Sequence, residues 1–358
     1  VPFTLFSTSP SGRRGRLKVS HGIIETPFFF PVATAGAMKG IGHQELQDLG
    51  AQALLCNTYH LHLRPGEDVV ADAGGLHQFI GWEKPILTDS GGFQIFSLRN
   101  IRSLHDDGVT FRSHLDGTEH VLGPKEAMEI QHKLCADIIM VLDECPPSTA
   151  DRCEIEKAVE RTLLWARECK RIHEELKRKD GASMPLLFGI VQGGIHRDLR
   201  EYCARELITM DFDGYAIGGL AVGESTEEMY EVLDWVCPLL PEKKPRYLMG
   251  VGKLSQLSVC VSKGIDMFDC VLPMREARHG LVYVSDGSVL RMTNQKYITD
   301  HSIIDPSSPS PLSRRHTKSY LSHLIRCGER YGETIACMQN MGMTLQMMRE
   351  LREKVISS

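Results

Sequence analysis

Eight short apolar runs punctuate the chain, most of them ending at or near Gly, Asp or Pro. They are FFFPVAT from Phe28, ALLCNTY from Ala53, PILTDSG from Pro85 and DIIMVLDE from Asp137, then LLFGIVQGG from Leu186, GYAIGGL from Gly214, RYLMGVG from Arg246 and MFDCVLP from Met267. Their apolar character is nearly continuous, as in strands covered on both faces. Most gaps hold segments with apolar residues three or four apart, which predicts helices: KEAMEIQHKLC, EIEKAVERTLLWARECKRIHEELKRK, RDLREYCARELI, TEEMYEVLDWVCPLL and KLSQLSVCVSKG. Eight strands alternating with helices over about 250 residues predict an α/β fold, a (β/α)8 TIM barrel. The alternative is a doubly wound sheet. That fold usually has fewer strands and often a Gly-rich phosphate loop after the first, and no G-x-G-x-x-G or Walker motif follows the first run here.

Two insertions interrupt the alternation. VTFRSHLDGTEHVL, with Asp116-Gly117 between alternating segments, predicts a β-hairpin, and LVYVSDGSVLRM repeats the pattern around Asp286-Gly287. HSIIDPSSPSPLS, from His301 to Ser313, predicts an irregular loop, and helices are expected over 317–331 and 333–355. The run KRKD from Lys177 reads as a solvated helix end. The expected organisation is a β extension over 1–27, a catalytic barrel over 28–280 and a C-terminal subdomain over 281–358.

Charge narrows the picture further. Lys+Arg 41 against Asp+Glu 46 gives a net charge of −5, so an RNA partner would have to be held by a local patch. Arg314, Arg315, Lys318, Arg326 and Arg330, with Glu329 as the one acid between them, supply such a patch on what reads as one helix. No apolar run approaches the roughly 20 residues that span a bilayer, and no membrane partner is expected. The opening VPFTLFSTSPSGRRGR lacks the order of a secretory leader. The 11 Cys stand singly, mostly in apolar or helical stretches, which suggests reduced thiols and a cytoplasmic protein.

In a barrel the active site lies at the C-terminal ends of the strands. Those ends carry Asp89 with Ser90-Gly91-Gly92, Asp143 with Glu144, Gln192 with Gly193-Gly194, Gly218-Gly219, Gly250 and Asp269. Any one Asp could be a helix cap or an Asx turn. Several converging on one rim suggest chemistry. Two carboxylates across a sugar can run a double displacement, one as nucleophile at the anomeric carbon and one moving protons. Gly lets backbone N–H groups approach a flat ligand, and Asp143 and Gln192 offer a planar base directed acceptors and donors. A carboxylate glycosidase would look similar on spacing alone.

TDSGGFQ (Thr88 to Gln94), VLDECP (Val141 to Pro146), VQGG (Val191 to Gly194), GGLAVGE (Gly218 to Glu224), RYLMGVG (Arg246 to Gly252) and FDCVLP (Phe268 to Pro273) stand in that order. From about Gly15 to the C-terminus the chain strongly resembles the tRNA-guanine transglycosylases, or queuine tRNA-ribosyltransferases, of bacterial type. The resemblance implies a barrel enzyme that replaces guanine at the wobble position of GUN anticodons, in the tRNAs for aspartate, asparagine, histidine and tyrosine, by a 7-deazaguanine. It implies Asp269 as nucleophile and Asp89 as proton acceptor, with Asp89, Ser90, Gly91, Gly92 and Phe93 shaping the base pocket and Phe93 stacking on the base. Asp143, Cys145, Gln192, Gly219, Leu220, Val222 and Met249 would complete that pocket. The stretch Gly250, Val251, Gly252, Lys253, Leu254, Ser255, Gln256 would touch tRNA, as would Met274, Arg275, Glu276, Ala277 and Arg278. No ATP or redox cofactor is implied, and a homodimer is. Read without the resemblance, Phe93 and Met249 would be core residues, Cys145 an inert buried thiol, and Arg275 and Arg278 ordinary surface cations.

Cys145 and Val222 are similar to the bacterial-type enzymes. Val222 would fill space needed by the cyclopentenediol of queuine, so the smaller 7-aminomethyl-7-deazaguanine is the expected base, with queuine salvage the alternative. The family's structural zinc is held by three thiols and a His, and those positions fall here on Ser308, Ser310, Ser313 and Gln339. A Ser hydroxyl does not ionise near neutral pH and cannot replace a thiolate, so no zinc is expected. Pro306, Pro309 and Pro311 would restrict the unfolded loop instead. A further departure is Met274, where a Thr is usual. A non-catalytic tRNA-binding relative would have lost the two acids, which this chain keeps. Archaeal-type relatives usually add an RNA-binding domain, for which the chain has no room.

Overall fold

The computed structural model describes residues 2–97, 101–147, 149–180 and 184–357. All eight apolar runs are strands: β1 (Phe28–Phe30), β2 (Leu54–Cys56), β3 (Ile86–Thr88), β4 (Ile138–Met140), β5 (Leu186–Val191), β6 (Gly214–Ile217), β7 (Arg246–Leu248) and β8 (Met267–Asp269). They form one parallel sheet in the order β1-β8-β7-β6-β5-β4-β3-β2. A parallel bridge between Val32 and Leu55, with Ala33 N–H donating to Leu55 at 2.7 Å, joins β1 to β2 and closes the barrel. Phe28, Phe29, Phe30, Leu54, Ile138 and Phe268 are buried, which is why these strands show no polar alternation.

The amphipathic segments are helices, at Pro124–Leu134, Arg152–Asp180, Arg197–Thr209, Thr226–Val236 and Leu254–Ser262. The KRKD run ends the second of these, and its Lys179 and Asp180 side chains lie outside the described residues. Short helices not anticipated from the pattern occupy the gaps after β1, β2 and β3, including Thr58–Leu63 and Gly92–Ser97. At five or six residues they are too short to display a helical period.

The first hairpin pairs Gly108–Arg112 with Glu119–Leu122 around the Asp116-Gly117 turn, and an unpredicted strand, Ile101–His105, adds to its other edge. The second pairs Leu281–Tyr283 with Val289–Arg291. Three antiparallel strands, Phe3–Ser9, Gly12–Val19 and Gly22–Thr26, cover the N-terminal ends of the barrel strands. There Asp137, just before β4, is shared by two imidazoles. Its Oδ1 lies 2.9 Å from His21 Nδ1 and its Oδ2 lies 3.0 Å from His77 Nε2, and the rings stack 3.5 Å apart. The backbone N–H groups of His21 and Ile86 donate to the same carboxylate. Arg13 pairs with Asp266, just before β8, at 3.4 Å.

The expected irregular segment ends in a short helix, Pro311–Arg315. The expected basic helix is divided. Thr317 caps Lys318–Cys327 by accepting from Tyr320 N–H, Gly328 closes that helix at φ +69°, and a last helix starts at Arg330 and runs to Ser357. The cations are partly committed: Arg314 donates to the Ser308 and Pro309 carbonyls and Arg326 to that of Thr293. The last helix packs on the helix Leu272–Arg278 and on the strands Gly12–Val19 and Phe28–Phe30.

Candidate active site

The C-terminal ends of the strands bring the acids to one rim. Asp89 follows the last residue of β3, Asp143 lies three past β4, and Asp269 ends β8. Asp89 is the most tightly held. Its Oδ2 accepts from Asn57 Nδ2 at 2.6 Å and Gln94 Nε2 at 2.7 Å, and its Oδ1 from Thr58 N–H at 2.8 Å. Burial raises its pKa, and these donors with His60 hold it back in part.

Asp269 Oδ1 accepts from Tyr247 Oη at 2.6 Å and from Gly250 N–H at 2.9 Å. Gly250 stands at φ +75°, a conformation that suits Gly in this turn. Both donors go to one oxygen, and Oδ2 has no hydrogen bond among the described residues. Burial raises the Asp269 pKa, its two donors lower it, and the charge of Asp89 raises it again. That coupling brings the two acids into one electrostatic site.

Asp143 faces the interior. Gln192 Nε2 donates to its Oδ2 at 2.7 Å and Ser90 Oγ to its Oδ1 at 3.3 Å. Burial pushes its pKa up to about 6, against those two hydrogen bonds and with a smaller push from Asp89. Gln192 Oε1 is buried with no partner among the described residues, an acceptor at the edge of the pocket. Gly218 and Gly219 are needed beside it, since a Cβ on Gly219 would lie 2.3 Å from Gln192 Oε1 and one on Gly218 2.8 Å from Gln192 Nε2. Glu144 turns the other way and pairs with Arg161. Cys145 is buried and burial pushes its thiol up to about 12, so it is an unreactive wall.

Phe93 is 50% exposed at the start of the helix Gly92–Ser97, which overturns its reading as core. Met249 is half-buried against the core, and Leu220 is buried. Val222 belongs with Gln192, Gly219, Pro146 and Ile195 to the lining of a cleft of about 390 Å³. Glu224 accepts from the Ala221 and Val222 N–H groups and fixes that turn.

The proposed RNA stretches divide by exposure. Gly250, Lys253, Ser255 and Arg275 are exposed, whereas Val251, Gly252, Met274 and Ala277 are buried. Leu254, Gln256, Glu276 and Arg278 lie between, and three of them are hydrogen-bonded within the protein: Gln256 to Thr226, Glu276 to Tyr283 and Arg278 to the Met274 carbonyl.

Sequence reasoning missed Asn57, Thr58, Tyr247 and Arg200. The first two follow β2 and could have been found by reading every strand end alike. Arg200 carried a signal of its own, since it shares a helical face with the buried Cys203, Ala204 and Leu207. It is fully buried. Its Nε donates to the Gly194 carbonyl at 2.7 Å, Nη1 to those of Val191 at 2.8 Å and Gly218 at 2.7 Å, and Nη2 to that of Gly219 at 3.2 Å.

The four family zinc positions also meet. Ser308 Oγ donates to Gln339 Oε1, and Gln339 Nε2 donates to the Tyr283 carbonyl at 2.7 Å and to Asp305 Oδ2 at 3.0 Å. The hydroxyls of Ser310 and Ser313 are buried without partners among the described residues. Three neutral hydroxyls and a committed carboxamide do not fit a metal that takes thiolate and imidazole.

A closed (β/α)8 barrel with coupled acids on its C-terminal rim is the architecture of a barrel enzyme. The profile of the queuine tRNA-ribosyltransferase family matches residues 8–358, so the chain belongs to that family, whose members are pentosyltransferases acting on tRNA. A queuine tRNA-ribosyltransferase of Halothermothrix orenii is 49% identical over 340 residues, 95% of this chain and 89% of its own length. One of Ruminiclostridium cellulolyticum is 46% identical over 358 residues, 99% of this chain and 94% of its own. One of Acinetobacter baumannii is 47% identical over 354 residues, 99% and 92% respectively. No described helix is long and apolar enough to cross a membrane.

Proposed function

We propose that this enzyme exchanges guanine at the wobble position of GUN-anticodon tRNAs for 7-aminomethyl-7-deazaguanine, by double displacement through a covalent enzyme–tRNA ester. The observation that carries the reading is the pair of coupled acids, Asp89 on β3 and Asp269 on β8, the latter with one oxygen held and one left over. Asp269 Oδ2 attacks ribose C1′, the C1′–N9 bond breaks, and its electron pair leaves with guanine, which takes a proton from Asp89. The incoming base then gives its N9 proton to Asp89, its N9 attacks C1′, and the Asp269 carboxylate is released. The raised pKa of Asp89 suits a group that carries a proton in both directions.

Asp143 would accept from the donor edge of the base, Gln192 Oε1 would take a further donor, and the exposed Phe93 face would stack on the ring. Lys253 and Arg275, both exposed and flanking Asp269 in sequence, suit phosphate contact. Val222 takes space from the cleft beside Gln192, which favours the small aminomethyl substituent over queuine. The reading includes a homodimer in the cytoplasm and no structural zinc, for which the neutral donor set speaks. Metal analysis of purified protein finding one tightly held zinc per chain would refute the last point.

The test is exchange of radiolabelled guanine into unmodified tRNA with a GUN anticodon. Wild type is expected to exchange and to leave a tRNA adduct on a denaturing gel; Asp269→Asn is expected to do neither. Exchange by Asp269→Asn at the wild-type rate would end the proposal.

A further inference from the structure

Arg200 is a full positive charge in the interior with no carboxylate partner within ion-pair distance among the described residues, and four backbone carbonyls satisfy it instead. Burial lowers its pKa to about 10, which still leaves it charged at neutral pH. A buried unpaired cation is costly, and a neutral side chain could stitch two strand ends together at lower cost. Its position suggests why a charge is there. Two of the four carbonyls, those of Gly218 and Gly219, belong to the peptide units whose other ends are the N–H groups of Gly219 and Leu220. Withdrawing electrons from a carbonyl oxygen makes the N–H of the same peptide a stronger donor. The guanidinium is also close beneath the turn, since a Cβ on Gly219 would lie 3.4 Å from Nη2 and, on the other side, 2.3 Å from Gln192 Oε1. Leu220 N–H itself has no partner among the described residues.

We infer that Arg200 is a positioning residue that polarises the Gly219 and Leu220 N–H groups toward the 6-oxo group of the purine, and so stabilises the negative charge on the departing base. When the C1′–N9 bond breaks, the electron pair received at N9 delocalises through the ring to the 6-oxygen. Donors fixed at that oxygen act most strongly when the charge is there, which is the condition for lowering a barrier. The inference rests on the base-exchange reading above.

The experiment compares wild type, Arg200→Met and Arg200→Lys in guanine exchange, with free guanine and 6-thioguanine as competing bases. The two share the N1 hydrogen and differ at position 6, an oxygen against a sulfur that accepts hydrogen bonds more weakly. Arg200→Met is expected to lower kcat about 10- to 100-fold with the KM for tRNA little changed, and to lose most of the preference for guanine over 6-thioguanine. Arg200→Lys keeps a charge with fewer donors. It is expected to recover the preference while kcat stays below wild type, and it carries the test should Arg200→Met not fold. A preference retained in Arg200→Met, or lost equally in a folded Arg200→Lys, would overturn the inference and leave a purely structural role. Wild-type protein with no exchange at all would instead strike at the base-exchange reading.

Discussion

Replacing Tyr247 by Phe removes one atom from the rim, the phenol oxygen 2.6 Å from Asp269 Oδ1. Gly250 N–H at 2.9 Å remains on the same oxygen. A hydrogen bond to a charged group contributes about 1.5–3 kcal/mol, or roughly 10- to 150-fold in an equilibrium. The two halves of the reaction should feel this differently. In the proposed double displacement the Asp269 charge would disappear into an ester on attack, so a lost donor would not hinder that step. On release the carboxylate would reform, and Tyr247 would stabilise it as it leaves. Tyr247→Phe is therefore expected to slow release about 10-fold or more while forming the adduct normally, so the covalent tRNA species accumulates. The same loss should raise the Asp269 pKa by about one to two units, since one unit is about 1.36 kcal/mol, and the acid limb of the pH–rate profile should move upward. The assay is quenched-flow exchange with labelled guanine, reading adduct on denaturing gels across a pH series. An adduct level at or below that of wild type, with an unmoved acid limb, would refute the reasoning.

In the proposed reading Asp143 accepts from the base through its ionised form, and its pKa is pushed up to about 6, so base affinity is expected to fall as pH drops through about 6; calorimetric titration with guanine at about pH 7.5 and about pH 5 checks this, and Asp143→Asn should remove the dependence. Gly219→Ala forces a Cβ against Gln192 Oε1 at φ +64° and is expected to lower guanine affinity about 10-fold or more while the melting temperature changes little. The Asp137 pKa is lowered, because its hydrogen bonds from His77, Ile86 and His21 outweigh burial, the largest single influence. Its stabilisation is therefore present above the unfolded carboxylate range and lost as pH falls from there through the lowered native value, and Asp137→Asn should cost about 2–4 kcal/mol in urea unfolding near neutral pH. A variant with Ser308→Cys, Ser310→Cys, Ser313→Cys and Gln339→His is expected to bind one zinc per chain by metal analysis, where wild type holds none.

The barrel strands were legible because strands buried on both faces leave uninterrupted apolar runs, and the acids were legible because each ends such a run. What escaped had no such mark. Thr58–Leu63 and Gly92–Ser97 are shorter than two helical turns. Asn57 and Thr58 act on Asp89 across 32 and 31 positions, a pairing that the parallel register of β2 beside β3 creates. Tyr247 looks like any strand aromatic until the neighbouring β8 sets Asp269 beside it. The basic segment reads as one helix because periodicity survives a cap, whereas Thr317 and Gly328 divide it through hydrogen bonding and a positive φ. Phe93 shows the converse: its composition suggests core, and its place beside the Asp89 turn leaves it exposed.

The three-stranded N-terminal sheet is fastened beneath the barrel through His21 and Arg13, at the end remote from the acids. Anything attached ahead of the first strand therefore emerges on the face opposite the rim that carries the acids. Molecules tethered to a solid support by that end would all present their working mouth outward, ready for a substrate as bulky as a folded tRNA.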